Sequence, residues 1–267
     1  MIFAPPKPVA STAAARHRLP APAAGTGSPH RAVENADPNW DRQRVSFLAG
    51  LPRTWVTIQI PGTAPQRLPG TYVAYARDEL PPAPADVADL RWLEHATRHP
   101  DDDMAHASPL AARDLSAHGV AALVGGPVPA DLARFLRGGG LRDRLRSATD
   151  CYFDLGAVAV DVDGGRLIHL ISDSQWTYHW LLYVGDDGRT AMVGTWFPIG
   201  FPLDMNQDAD WLHDDPNYVL AADSFAEFVW RWWMDNEIFY RVVVEKADPT
   251  AEQQAYAGRC GRPTSLG

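Results

Sequence analysis

The residues best suited to chemistry crowd into one stretch, where Asp204, Asp208, Asp210, His213, Asp214 and Asp215 stand close together. Paired carboxylates in a loop can hold Ca²⁺ or move protons in acid/base catalysis. A calcium loop also needs alternating acids, a central Gly and a closing Glu, and this stretch lacks that order. A partner-facing acidic loop is therefore favoured over a catalytic or metal site. A second group sets Asp101, Asp102 and Asp103 beside His95, His99 and His106, all of them ligand types. His95 and His99 share a helix face, but the helix is expected to end there, and a frayed end holds ligands poorly. Solvated loop charge is the ordinary meaning of such a run.

Other constellations are weaker. Gly138, Gly139 and Gly140 lack the Lys-Ser/Thr of a phosphate loop and separate two expected helices, not a strand from a helix. Neither a Gly-x-Ser-x-Gly elbow nor a Gly-x-Gly-x-x-Gly fingerprint occurs. Cys151 and Cys260 are too few for a disulfide framework and lack the pairing of metal sites, which leaves two reduced thiols. His169 and His179 lie in strand-like runs and read as core or edge histidines. No catalytic residue, no metal and no cofactor is expected.

The elements that must position the acidic stretch are legible around it. Ala157 to Val162 meets Arg166 to Ile171 across Asp163, Gly164 and Gly165, and Asp-Gly between β-branched runs is a strong hairpin signal requiring φ > 0 at both turn positions. Tyr178 to Val184 and Arg189 to Trp196 flank the polar loop Gly185 to Gly188. Four sequential antiparallel strands follow. The consecutive Trp180, Leu181 and Leu182 predict a sheet covered on both faces, one by helices and one by loops or a partner. After the acidic stretch, Ser224 and Glu227 make a capping pair, with Phe225, Phe228, Val229 and Trp232 at helical spacing on a face that should lie on the sheet. Trp230 and Trp233 fall off that stripe, so the helix is either buried nearly all round or presents two tryptophans outward. Ile238 to Val244, rich in Val, is expected to add a late strand.

Charge is as local as the strands. From Cys151 to Glu237 there are 15 Asp+Glu against 3 Lys+Arg, a balance of −12 in a chain whose net charge is −9. An acidic protein is a poor direct partner for nucleic acid, which is held by Lys and Arg. A basic protein partner fits better, although acidity that merely aids solubility is the commoner case. Trp176, Trp196 and Trp211 belong to an aromatic content larger than one small sheet needs, and tryptophan is enriched at interface anchors.

Three motifs together carry a resemblance: Val128 to Leu136 (VPADLARFL), Trp180 to Gly188 (WLLYVGDDG) and Ala222 to Phe228 (ADSFAEF). In this order, with hairpins between them, they resemble the SUKH superfamily, which unites Smi/Knr-type regulators of fungal cell-wall assembly with bacterial immunity proteins. The likeness covers about residues 126–240, and the first 125 residues show no match to the family's leading helix. It implies an α+β fold with a mainly antiparallel twisted sheet flanked by helices. It also implies a non-enzymatic protein-binding module, an immunity protein that neutralises a cognate toxin, often a nuclease. On that reading Asp208, Asp210, Asp214 and Asp215 steer a basic toxin while Trp176, Trp196 and Trp211 anchor it. A Smi/Knr-type regulatory scaffold is the first alternative, and a metal-dependent enzyme built on the Asp204 to Asp215 loop the second.

With 46% hydrophobic and 10% aromatic residues, 267 residues suffice for a packed core. Residues 1–38, rich in Pro and Ala, read as a disordered tail. Residues 39–125 read as an α+β extension, either separate or part of the same domain, with strands at Thr54 to Ile60 and Thr71 to Tyr75 and helices at Ala85 to Arg98 and Leu110 to His118, the last closed by Gly119. Gly125, Gly126 and Pro127 mark the boundary into a SUKH-like domain, 126–246, which opens with helices at Pro129 to Arg137 and Leu141 to Ser147. Among the latter, Arg134, Arg137, Arg142, Arg144 and Arg146 read as a solvated basic face. Residues 247–267 read as a second tail. No run approaches the ~18 apolar residues of a membrane span, and no apolar leader follows Met1, so a cytoplasmic protein that does not engage membranes is expected. The pattern does not address its oligomeric state.

Overall fold

The computed structural model describes residues 47–68, 71–106, 115–136, 140–196, 199 and 218–260. In chain order the elements are β1 (Thr54–Ile58), β2 (Gln66–Arg67), β3 (Tyr72–Ala76), α1 (Ala117–Val124), α2 (Ala130–Leu136), β4 (Tyr152–Phe153), β5 (Ala159–Val162), β6 (Gly165–Ser172), β7 (His179–Gly185), β8 (Thr190–Thr195), β9 (Val219–Ala222), α3 (Phe225–Phe239) and α4 (Ala251–Ala257). The larger sheet runs β4-β6-β7-β8-β9, with β5 also paired to β6, and the smaller runs β1-β3-β2. Every strand pairing in both sheets is antiparallel. The fold class is α+β.

Both hairpins form where their turn residues predict. Of the two residues between β5 and β6 only Gly164 is left-handed, at φ +79°, so the turn does not need the second positive φ expected of Asp163. Tyr183 Oη donates to Gly164 O at 2.6 Å and pins the turn to β7. The early strands make a small sheet of their own that abuts the larger one. Arg53 forms a parallel bridge with Leu220, and Leu220 N donates to Pro52 O at 2.8 Å. The described residues belong to one compact unit, within which Gly125 closes a helix and does not divide domains.

The alternation of β7 sorts side chains between two cores. Tyr178, Trp180 and Leu182 face α3, whereas Leu181 and Tyr183 join Leu167, Val193, Tyr218 and Leu220 on the opposite face, under Phe47, Leu48 and Leu51. Both faces are covered, as the unbroken apolar runs require. α3 lies on the first face: Phe228 meets Trp55 at 5.5 Å between ring centroids, and Trp232 meets Trp180 at 5.0 Å. Such ring pairs contribute about 0.5–1.5 kcal/mol each beyond their burial. Ser224 Oγ accepts from Glu227 N at 3.1 Å, while the Glu227 carboxylate reaches back one residue further than a capping box does, to Asp223 N at 2.9 Å. Eleven of the 15 residues of α3 are buried, which decides between the two expectations for this helix. Trp230 is covered by Tyr256 of α4 and Trp233 packs on Trp92.

Several expected elements take other forms. Ala85 to Arg98 is not one helix but two 3-10 turns, Ala85–Asp89 and Arg91–His95, broken at Leu90 with φ +59°. Val87, Leu90 and Leu93 are all buried, and their strict spacing of three suits three residues per turn better than 3.6. Leu141 to Ser147 holds only the turn Arg142–Arg144, because its polar groups bond outward: Arg146 forks onto Glu237 at 2.8 and 2.9 Å, and Arg144 donates to Ala96 O. The second expected helix, Leu110 to His118, is described only from Leu115 onward. α1 begins after Ser116, whose Oγ accepts from Gly119 N, and ends at left-handed Gly125, so Gly119 opens the helix and does not close it. Residues 107–114 lie outside the described residues.

Ile238 to Val244 is not a strand. α3 runs through Phe239 into a π-turn, Tyr240–Val244, in which Glu245 N bonds Tyr240 O at 2.8 Å. Helical bonds there satisfy the backbone locally, which outweighs a β preference of weak and context-dependent size. The expected C-terminal tail is ordered up to Cys260: Thr250 and Gln253 form a capping box for α4, and Tyr256 is buried. The expected N-terminal tail lies outside the described residues.

Candidate functional site

Asp204, Asp208, Asp210, Trp211, His213, Asp214 and Asp215 lie outside the described residues. Their attachment points do not. His179, the first residue of β7, pairs with Ser172 at the end of β6 and with Thr195 at the end of β8. Gly194 pairs with Val219, so the chain leaves β8 and re-enters β9 at neighbouring positions of one sheet end. Trp176, in the β6–β7 connection, and Trp196, the first residue after β8, belong to that same end. They straddle the sheet instead of sharing a patch. Trp176 stacks edge-on to His179 at 5.8 Å, whereas Trp196 stacks on Tyr178 at 4.8 Å, and neighbouring residues of a strand point to opposite faces. Both tryptophans are partly buried.

The β6–β7 connection is stiffly made. Asp173 accepts from Thr177 N at 2.7 Å, Thr177 Oγ1 at 2.6 Å and Tyr72 Oη at 3.2 Å. Trp176 is held at φ +57°, and its indole donates to Tyr152 Oη at 2.5 Å. A left-handed non-glycine residue costs roughly 1–2 kcal/mol, which these contacts must offset.

Beneath Trp176 lies a polar cluster that the strand pattern did not foretell. In a regular strand His169 and Ser172 would face opposite sides, since they differ by an odd number of residues. The β6–β7 register shifts between His169 and Ile171, and this bulge turns both side chains to the side of His179. Ser172 Oγ then lies 2.8 Å from His169 Nε2, 3.3 Å from His179 Nδ1 and 3.2 Å from Asp154 Oδ2. A hydroxyl has one proton to give and can accept two, so Ser172 is saturated by these three neighbours. Burial pushes the Asp154 carboxyl up, against the hydrogen bond from Ser172. Burial, helped by neighbouring His179, holds His169 well below its ordinary range. Burial brings His179 down to about 4, against the pull of Asp173. Both rings are neutral at pH 7. Ser, His and Asp in contact suggest a nucleophile with its base, but Ser172, His169, His179 and Asp154 are all 0% exposed. As placed, the cluster braces the sheet end.

The second group of ligand types is dispersed. Asp102 caps the turn at Met104 and accepts from Ser147 N, while His99 faces Glu237 at 3.3 Å. Among the described residues no three His, Cys, Asp or Glu are placed to hold a metal ion. Of the expected basic face, Arg134 bonds Glu94, and Arg146 binds Glu237 and stacks 4.0 Å above the Tyr240 ring. Arg137 lies outside the described residues.

Two further networks escaped the sequence reading, because their members are far apart in the chain. Arg53 and Arg77 converge on Asp223 at the start of α3, where Glu227 and Arg231 extend the ion pairs. Asp235, fully buried within α3, accepts from Trp55 Nε1 of β1 at 2.6 Å.

These features define an α+β protein whose larger antiparallel sheet carries, at one end, the two ends of an acidic connection and a tryptophan on either face. Compared with family models, curated proteins and solved structures, the chain gives no match. No helix among the described residues is long and apolar enough to cross a membrane.

Proposed function

We propose that the chain is a non-enzymatic protein-binding module that captures a basic toxin domain, as immunity proteins of the SUKH type do. The observation that carries the reading is the charge balance of −12 between Cys151 and Glu237. The described residues that flank its most acidic connection, Gly194 and Val219, are paired at one braced sheet end, which adds support. Nucleases hold phosphates with Lys and Arg, so a nuclease toxin would be steered to this surface, with association faster by roughly 10- to 1000-fold at low salt. Asp208, Asp210, Asp214 and Asp215 supply the steering charge. Trp176, Trp196 and Trp211 supply apolar anchors, Trp176 and Trp196 from opposite faces. The complex forms in the cytoplasm.

The test begins from the neighbouring genes: any toxic domain they encode is co-expressed with this chain. Rescue of growth is expected, with an on-rate that falls with salt and in a D208N/D210N/D214N/D215N variant. Failure to rescue, or an on-rate indifferent to both changes, refutes the proposal. Calorimetric binding of Ca²⁺, Mg²⁺ or Zn²⁺ that is lost in D208N/D210N would replace it with a metal-dependent reading.

A further inference from the structure

A cleft of about 320 Å³ opens between the two 3-10 turns at residues 85–95 and the outer side of α3 and α4, lined among others by Asp86, Trp92, His95, Trp230, Trp233 and Glu252. Its walls combine two features. Trp92 and Trp233 meet at 5.2 Å with their planes at 63°, so their indoles form a corner instead of a stack. Asp86 and Glu252 bring two exposed carboxylates from separate elements, and no Lys or Arg lines the cleft. Nearby acids are neutralised, Asp89 by Arg91 and Glu94 by Arg134. Asp86 and Glu252 form no ion pair among the described residues.

Aromatic faces attract cations through their quadrupole, and uncompensated carboxylates beside them add to the attraction. The chain uses this chemistry elsewhere on α3, where the Arg231 guanidinium, which lines a neighbouring cleft, lies 5.7 Å from the Trp230 ring. A guanidinium suits the corner better than an ammonium. It is planar, weakly hydrated, stacks on indole and donates to carboxylates through a fixed fork.

We infer that this cleft takes an arginine side chain of the basic protein partner. The inference rests on the protein-binding reading above and adds a second contact surface to it, formed by elements other than the β8–β9 connection.

The probe is N-acetyl-arginine amide, titrated into the full chain and followed by the indole N–H resonances in two-dimensional NMR. Saturable shifts of the Trp92 and Trp233 signals in the millimolar range are expected, weaker with N-acetyl-lysine amide and absent with N-acetyl-norleucine amide. The exposed double variant D86N/E252Q should retain its fold and bind the arginine amide roughly 5-fold more weakly. Equal binding of the norleucine amide, no shift at either indole, or unchanged affinity in D86N/E252Q overturns the inference. In the co-expression assay, full toxin affinity in D86N/E252Q overturns it while leaving the protein-binding reading standing. If arginine amide binds the corner but no toxin is neutralised, the proposed function falls and the cation site remains.

Discussion

Asp235 gives the sharpest physical test of the fold. It lies fully buried in α3, and burial pushes its carboxyl from 3.8 up to about 6, with the Trp55 N–H, the hydroxyls of Tyr256 and Thr57 and the Arg231 charge holding it back from rising further. Between pH 4 and pH 6 the native state therefore keeps a proton that the unfolded chain has released. Stability must fall as pH rises through that window, and by pH 7.5 the ionised Asp235 costs about 3 kcal/mol. Asp235→Asn imitates the protonated acid, since its carbonyl still accepts from Trp55. An amide N–H left without an acceptor adds a constant cost of about 1–3 kcal/mol at every pH. The informative quantity is thus the change with pH: the stability of D235N minus that of the native protein should grow by about 2.5 kcal/mol from pH 4 to pH 7.5. Urea unfolding followed by tryptophan fluorescence across this range measures it. A difference that stays flat, or that shrinks as pH rises, refutes the burial argument.

Ser172→Ala leaves Asp154, His169 and His179 without their shared hydroxyl in a site closed to water, and should cost about 1–3 kcal/mol in thermal or urea unfolding. At Asp223 burial pushes upward but the hydrogen bonds from Arg77 and Arg53 prevail and bring the carboxyl down to about 2. The stability it contributes is present above the ordinary 3.8 and lost as pH falls through 2, so Asp223→Asn should flatten acid unfolding between pH 4 and pH 2. Because Asp223 is half exposed, its effect at pH 7 should be no more than about 1 kcal/mol. Burial raises Cys151 to about 11 and Cys260 to about 12. Because the thiolate is the reactive form, neither should react with an aromatic disulfide reagent at pH 8 until urea unfolds the chain.

Local signals determined what local physics controls. The Asp163-Gly164 and Gly185 to Gly188 turns, the Ser224 cap and the Phe225, Phe228, Val229 and Trp232 stripe each depend on a few neighbouring residues, and each formed where its residues predict. The unbroken Trp180, Leu181 and Leu182 run likewise announced a sheet covered on both faces. The concentration of negative charge is a property of the sequence alone. Tertiary structure decided the rest, because the energies involved join residues far apart. Ile238 to Val244 stayed helical against its β preference. The apolar spacing of three at Val87, Leu90 and Leu93 became 3-10 turns only because all three side chains are buried. His169, Ser172 and His179 met through a one-residue register shift whose placement depends on pairing between strands, and Trp92 met Trp233 across 141 positions of chain. Periodicity within a segment records which face is apolar. It carries no information about which distant element will cover that face, and the polar cluster and the tryptophan corner exist only through that covering.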